Sequence, residues 1–222
     1  VDGKGLKDEA VKVAADALTA NPDINVIFGC NDDSAFGGLQ AFQAAGLDTA
    51  NLLVAGFGCE GKACKSALEE GGPYKVSGAM FPEYQGRLLI DAAVAAYNGL
   101  ELPKHVVAPS TAMTKEKLPQ YYTKEGGEWI PNYNAIAMLS PVLQKYTDST
   151  VRNLDPAALP AGWEVPKTVG HVVNYLMHEW YQNETKGEMA RAADFGIEFS
   201  LNDANLDLQK SLAGVDDYLA KG

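Results

Sequence analysis

Short, mostly apolar runs rich in β-branched residues alternate along the chain with longer stretches of helical periodicity, and this alternation constrains the fold more than any other feature. From Lys7 to Ala20, the residues Ala10, Val11, Ala14, Ala15 and Leu18 recur at helical spacing before Asn21-Pro22 closes the segment. Residues 24–29 then read as a buried strand. A second helix, capped by Asp33 or Ser34, is expected to run to Ala45 and stop at Gly46. Further expected elements are a strand at 52–56, a helix at 62–70, a strand at 75–80, a helix from Pro82 to before Gly99, and a last strand at 105–108. Strands without polar alternation, separated by helices, imply a parallel sheet covered on both faces. The fold class is therefore α/β with a doubly wound parallel sheet, and residues 1–125 form one α/β unit of it.

The pattern fails between Gly126 and Pro166, where Gly126-Gly127, five prolines, Trp129, Tyr133 and Trp163 surround one helical stretch near 135–146. Residues 126–166 read as a linker or arm. Alternation resumes with a strand at 168–173, a helix at 179–195 stopped by Gly196, and a strand at 197–201. A closing helix at 207–220 then carries Leu208, Leu212, Val215 and Leu219 on one stripe. Residues 167–222 are thus a second β-α-β-α unit.

Composition narrows the partners. A net charge of −11 is spread over short acidic groups, so the basic stripe that nucleic acid or an anionic membrane requires is missing. No run approaches the roughly 18 apolar residues of a membrane span. Val1-Asp2-Gly3-Lys4 lacks the layout of a signal peptide, as in a mature or excised chain. Of three cysteines, Cys59 and Cys64 suit either a bridge across a tight turn, in an oxidising compartment, or two small buried thiols.

The text NPDINVIFGCNDDSAFGGLQAFQAAG, at 21–46, resembles the second lobe of type I periplasmic binding proteins, the superfamily of ribose-binding proteins and LacI-type effector domains. The likeness continues through LLVAGFGCEGKACKSALEEGG, KVSGAMFPEYQGRLLIDAAVAAYNG and VVAPSTAMTKEKLPQYY. Residues 167–222 are similar to the opening β-α-β-α of the same family's first lobe. In family order they would come first and residues 1–125 last. A cut across a tandem pair, a circular permutation with a deletion, and a partial chain each produce this order; the linker-like 126–166 favours the tandem reading.

The resemblance implies an extracytoplasmic, non-enzymatic solute-binding protein that closes two hinged lobes around a sugar or polyol and docks on the membrane subunits of an ABC transporter, without a cofactor or metal. Ligands of such sheets sit beyond the carboxyl ends of the strands. After the strand at 168–173 come Asn174, Tyr175, His178, Glu179, Trp180 and Tyr181. Trp180 and Tyr181 are the expected sugar-stacking rings; the competing reading makes them plugs of the lobe interface. Asn31 and Asp32 stand where the family binds hydroxyls, and an amide beside a carboxylate offers both donors and acceptors. Helix capping by Asp32 or Asp33 is the alternative. The family's hydroxyl-binding Asp is here Gly58 and its Gln is Met80. Met80 and Glu60 are kept as ligand-binding candidates, with Cys59, Phe81 and Glu83 at a pocket rim.

Two other functions compete. Gly56, Gly58 and Gly61 spell G-x-G-x-x-G, with Glu83 at the distance of a ribose-binding acid, which would suit an NAD(P)-binding oxidoreductase. The motif does not follow the first strand of a βαβ unit. An effector domain of a LacI-type regulator shares the fold, but no helix-turn-helix stands in these residues. His178-Glu179 lacks the second histidine of a zinc-protease helix, because Gln182 occupies that place; His105 and His171 fall within expected strands. No nucleophile motif argues for catalysis. Lacking the hinge, the chain is expected either to exchange its C-terminal unit with a second copy, as a domain-swapped homo-oligomer, or to bind sugars poorly.

Overall fold

The computed structural model describes residues 1–102, 108–139 and 153–221. They fall into two compact units, 1–81 with 110–136, and 82–109 with 137–222. The division at 125/126 and 166/167 drawn from the sequence does not coincide with this one. The difference lies mainly in the helix at 82–97, which belongs to the second unit.

In the first unit, α1 (Lys7–Ala20) is followed by β1 (Val26–Phe28), α2 (Asp32–Ala44), β2 (Leu53–Gly58), α3 (Lys62–Glu70) and β3 (Tyr74–Ala79). β1, β2 and β3 pair in parallel, while β4 (Thr111–Met113) adds antiparallel to β3. The expected strand at 105–108, with His105, lies outside the described residues except for Ala108. α2 begins one residue after Asn31, whose side-chain oxygen accepts from Ser34 N–H at 2.9 Å, so Asn31 is the cap and Asp33 and Ser34 are not.

One face of this sheet is packed. Ile27, Val54 and Gly56 alternate toward α2, and the Phe36 ring stacks on Tyr74 with centroids 4.7 Å apart. On the other face, where apolar strands led to an expectation of burial, Val26, Phe28, Leu53 and Phe57 are exposed among the described residues, Phe28 by 71%. Strand hydrophobicity records what a face can bury, and a helix must be present to bury it.

α5 (Leu118–Tyr121) leads into a hairpin of β5 (Tyr122–Glu125) and β6 (Glu128–Pro131), and then α6 (Tyr133–Ala137). Gly126-Gly127, read as the start of a linker, is its two-residue turn: both have positive φ, 57° and 85°, as a type I′ turn requires. The expected helical stretch at 135–146 lies partly outside the described residues.

In the second unit, α4 (Pro82–Tyr97) packs on α7 (Glu179–Phe195). β7 (Thr168–Val173) and β8 (Glu198–Asp203) form a parallel pair, and α8 (Leu208–Lys221) closes the chain. At the α4–α7 crossing Gly86 and Gly187 let the backbones meet, since a β-carbon on either would run into the carbonyl oxygen of Glu184 or Glu83. Beside it Arg191 Nε donates to Asp91 at 2.7 Å with both side chains buried, and Arg191 also donates to the Leu154 carbonyl. Leu154, Leu159, Trp163 and Val165 pack on the Ile90–Val94–Ala192–Ile197 core, and Asn98 exchanges two hydrogen bonds with the Glu164 backbone. The described part of the segment after residue 152 is therefore packed, not a loose tether. α8 rests on the pair through Gly214 and Tyr218, so the stripe Leu208, Leu212, Val215 and Leu219, periodic enough to suggest a buried face, is exposed.

Candidate functional site

Parallel pairing aligns the carboxyl ends of β1, β2 and β3, where their strand-to-helix loops meet. Asp32, in the first turn of α2, is buried there and fully engaged. Oδ1 accepts from the Tyr74 hydroxyl at 2.5 Å and the Ser77 hydroxyl at 2.7 Å, and Oδ2 accepts from the Glu60 N–H at 2.8 Å. Burial and the neighbouring thiol and carboxylate push the Tyr74 phenol far up, so it stays protonated and donates. The carboxylate thus ties the ends of β1, β2 and β3 together.

Asn31 is half-buried; besides capping α2, it donates from Nδ2 to the Gly5 carbonyl at 2.8 Å. Glu60 is buried, so a solute would meet its carboxyl group only after that loop opens. Met80 is partly exposed. Of the expected rim, Cys59 and Phe81 are wholly buried and Glu83 nearly so, and Phe81 packs against Tyr121 and Tyr122, with centroids 5.5 and 6.1 Å apart. Phe81 belongs to the core, which corrects its place at a rim. Gly58 has φ 115°, and a β-carbon on it would strike the Glu60 side chain. The backbone angle and the Glu60 side chain here would strain the family's Asp.

The glycine motif is explained by the same packing. A β-carbon on Gly56 would overlap the Tyr74 hydroxyl and Asp32. The N–H groups of Cys59 and Glu60, which would have to cradle a pyrophosphate, already donate to Ser77 Oγ and Asp32. The buried carboxylate of Asp32 and the neighbouring Glu60 would also repel it.

In the second unit, the carboxyl end of β7 gathers most of the residues expected there. Asn174 Nδ2 lies 3.5 Å from the Tyr181 hydroxyl, His178 caps α7 by accepting from Trp180 N–H at 3.3 Å, and the Trp180 and Tyr181 rings meet edge-on at 5.1 Å. Tyr181 also meets the His178 ring edge-on at 6.0 Å. Trp180, Tyr181, His178 and Tyr175 are partly exposed, while Asn174 and Glu179 are exposed. A hollow of about 450 Å³ beside them is lined by Leu176, Met177, Gln182, Thr185 and Met189 among others, residues that the sequence reading did not single out. A larger one of about 710 Å³ lies at the opposite, amino ends of β7 and β8, around Lys167, Thr168 and Glu198, away from the strand ends where such sheets bind ligands.

The second unit also holds a buried acid cluster that the periodicity concealed. His171 Nδ1 lies 2.8 Å from Glu188 Oε2. Burial, with the charge of Glu188, pushes the nearby Glu184 carboxyl up to about 7, and a hydrogen bond to the Glu188 carboxylate raises His171. Among the described residues no group of three or more His, Cys, Asp or Glu is placed to hold a metal ion, and no helix is long and apolar enough to cross a membrane.

Residues 1–101 match the periplasmic binding protein domain family. Among curated proteins, the ribose import binding protein RbsB of Bacillus subtilis (strain 168) is 32% identical over 112 residues, which are 50% of this chain and 34% of that protein. The chain therefore spans about a third of the length of the curated relative it matches. Among solved structures, an ABC-transporter periplasmic solute-binding protein of Actinobacillus succinogenes 130z with bound D-allose is 28% identical, with a TM-score of 0.49 over 54% of this chain and 41% of that one. A solute-binding protein of Bacillus halodurans C-125 with bound myo-inositol is 25% identical, with a TM-score of 0.46 over 52% and 39%.

Proposed function

We propose, from the match of residues 1–101 to the periplasmic binding protein domain family, that the chain acts as an extracytoplasmic, non-enzymatic solute-binding protein that captures a sugar or polyol for an ABC transporter. The family match over the strand ends that carry Asn31 and Asp32 is the observation that supports this most directly. The relative named for ribose import supports the solute class. The glycine motif gives the oxidoreductase reading no support, because its N–H groups and the space over Gly56 are already taken.

The proposed contacts are Asn31, Glu60 and Met80 in the first unit, with Asp32 holding their loops in place. In the second they are Asn174, Tyr175, His178, Glu179, Trp180 and Tyr181. There an indole and a phenol at right angles offer one apolar face for a pyranose or inositol ring, and amide and hydroxyl groups beside it to meet its hydroxyls. The partners proposed are the membrane subunits of the transporter and a second copy of the chain.

Tryptophan fluorescence titrated with ribose, allose, myo-inositol and NAD tests the reading. Saturable quenching by at least one polyhydroxylated solute, absent with NAD and weakened about tenfold or more in Trp180→Ala, is expected, since base- or sugar-stacking rings contribute about 1–3 kcal/mol. A response to NAD alone would overturn it.

A further inference from the structure

The geometry points to a disulfide between Cys59 and Cys64, formed when the chain folds in the presence of a disulfide oxidant. Cys59 follows the last residue of β2, and Cys64 lies in the first turn of α3. Their sulfurs are 3.6 Å apart and both residues are buried, at 0% and 1% exposure. A bond of about 2.05 Å needs an approach of about 1.5 Å, within reach of rotation about the two Cα–Cβ bonds. The turn is held for it: Cys59 N–H donates to Ser77 Oγ, Glu60 N–H donates to Asp32, and Cys59 is itself fixed at φ 50°. Cys30, the remaining cysteine, is exposed and lies beside Ser34.

The chemistry is thiol–disulfide exchange. One thiolate attacks a sulfur of a small disulfide such as oxidised glutathione, releasing one thiolate. The second cysteine, deprotonated, attacks the mixed disulfide and releases the other. Two protein thiols and one oxidant disulfide become one protein disulfide and two small thiols, with the protein's two protons passing to the leaving thiolates. A cysteine near a helix start is ordinarily acidified, but burial, followed by the neighbouring Cys59, pushes the Cys64 thiol well up. Burial wins, so the folded dithiol is slow to react, and the bond is made while the turn is still open to solvent. Once made, it closes a short ring around Glu60 at the carboxyl end of β2, whichever solute the protein takes.

Lys62 lies between the two cysteines, which supplies a direct assay. Full-length protein is refolded with a glutathione redox pair or with reductant, alkylated in denaturant and digested with trypsin. Peptide 13–62, which carries both Cys30 and Cys59, and the peptide Ala63–Lys65 are expected to stay joined in the oxidised sample alone, with the intact mass before alkylation lower by two hydrogens and with fragment ions placing the alkyl group on Cys30 and the bridge on Cys59. The denaturation midpoint of the oxidised form is expected to be the higher of the two. Alkylation of both Cys59 and Cys64 after oxidative refolding, or a bridge from either to Cys30, would overturn the assignment. The wild-type peptide map decides it without relying on any variant that might not fold.

Discussion

At the residue scale, a single buried carboxylate shows how an apparent binding motif becomes a structural one. Asn31 and Asp32 are adjacent, yet Asp32 accepts three hydrogen bonds, two from β3 and one from the loop between β2 and α3, whereas Asn31 caps α2. The sequence placed both at the right strand end but could not say which oxygen was already taken, because Tyr74 and Ser77 lie more than forty residues away. Glu184 was invisible for a different reason, since its neighbour Glu188 is local but its burial inside a polar helix is not. Its carboxyl titrates near 7 because burial and Glu188 disfavour its charge, and His171 is raised by its hydrogen bond to Glu188. Above the ordinary carboxylate range the folded unit holds a proton at Glu184 that the unfolded chain has lost, so stability falls as pH rises from about 4.5 to 7. The His171 contribution is complete below about 6.5 and is lost as pH rises through its higher folded value, in the same direction. Chemical-denaturation midpoints should therefore fall between about pH 5 and 8, and Glu184→Gln should flatten the lower part of that slope. A midpoint that climbs with pH in this window would contradict the assignment.

At the element scale, periodicity located nearly every helix, and packing decided what each was for. α1, α3 and α7 occupy the spans expected, and α4 and α8 differ by a residue or so at their ends. The glycines at the α4–α7 crossing carried no such signal, since a glycine inside a helix predicts only lower propensity. Here it predicts contact: Gly86→Ala should force the backbones apart and cost about 1–3 kcal/mol, as overpacking does. Urea denaturation followed by circular dichroism measures this, and an unchanged midpoint would show that α4 and α7 do not approach as described. The stripe on α8 is the opposite case, where period correctly found an apolar face and wrongly implied that it was covered.

At the scale of the whole molecule, two apolar surfaces stand exposed among the described residues: the sheet face of Val26, Phe28, Leu53 and Phe57, and the α8 stripe of Leu208, Leu212, Val215 and Leu219. Contiguous apolar patches of this kind mark association sites. The chain should therefore associate with a second copy at micromolar concentration in sedimentation, and Leu212→Lys with Leu219→Lys should weaken that association; a wild-type monomer would refute it. By itself the sequence determined the α/β alternation, the helix spans, the likeness of residues 1–101 to the periplasmic binding protein domain family and the strand ends where chemistry belongs, because periodicity and turn residues are local. Only the tertiary structure decided that Asp32 is occupied, that a side chain at Gly58 would be strained, that the cysteines touch and that two apolar faces stand exposed among the described residues. Each depends on partners remote in the chain or on a backbone angle that no local pattern records.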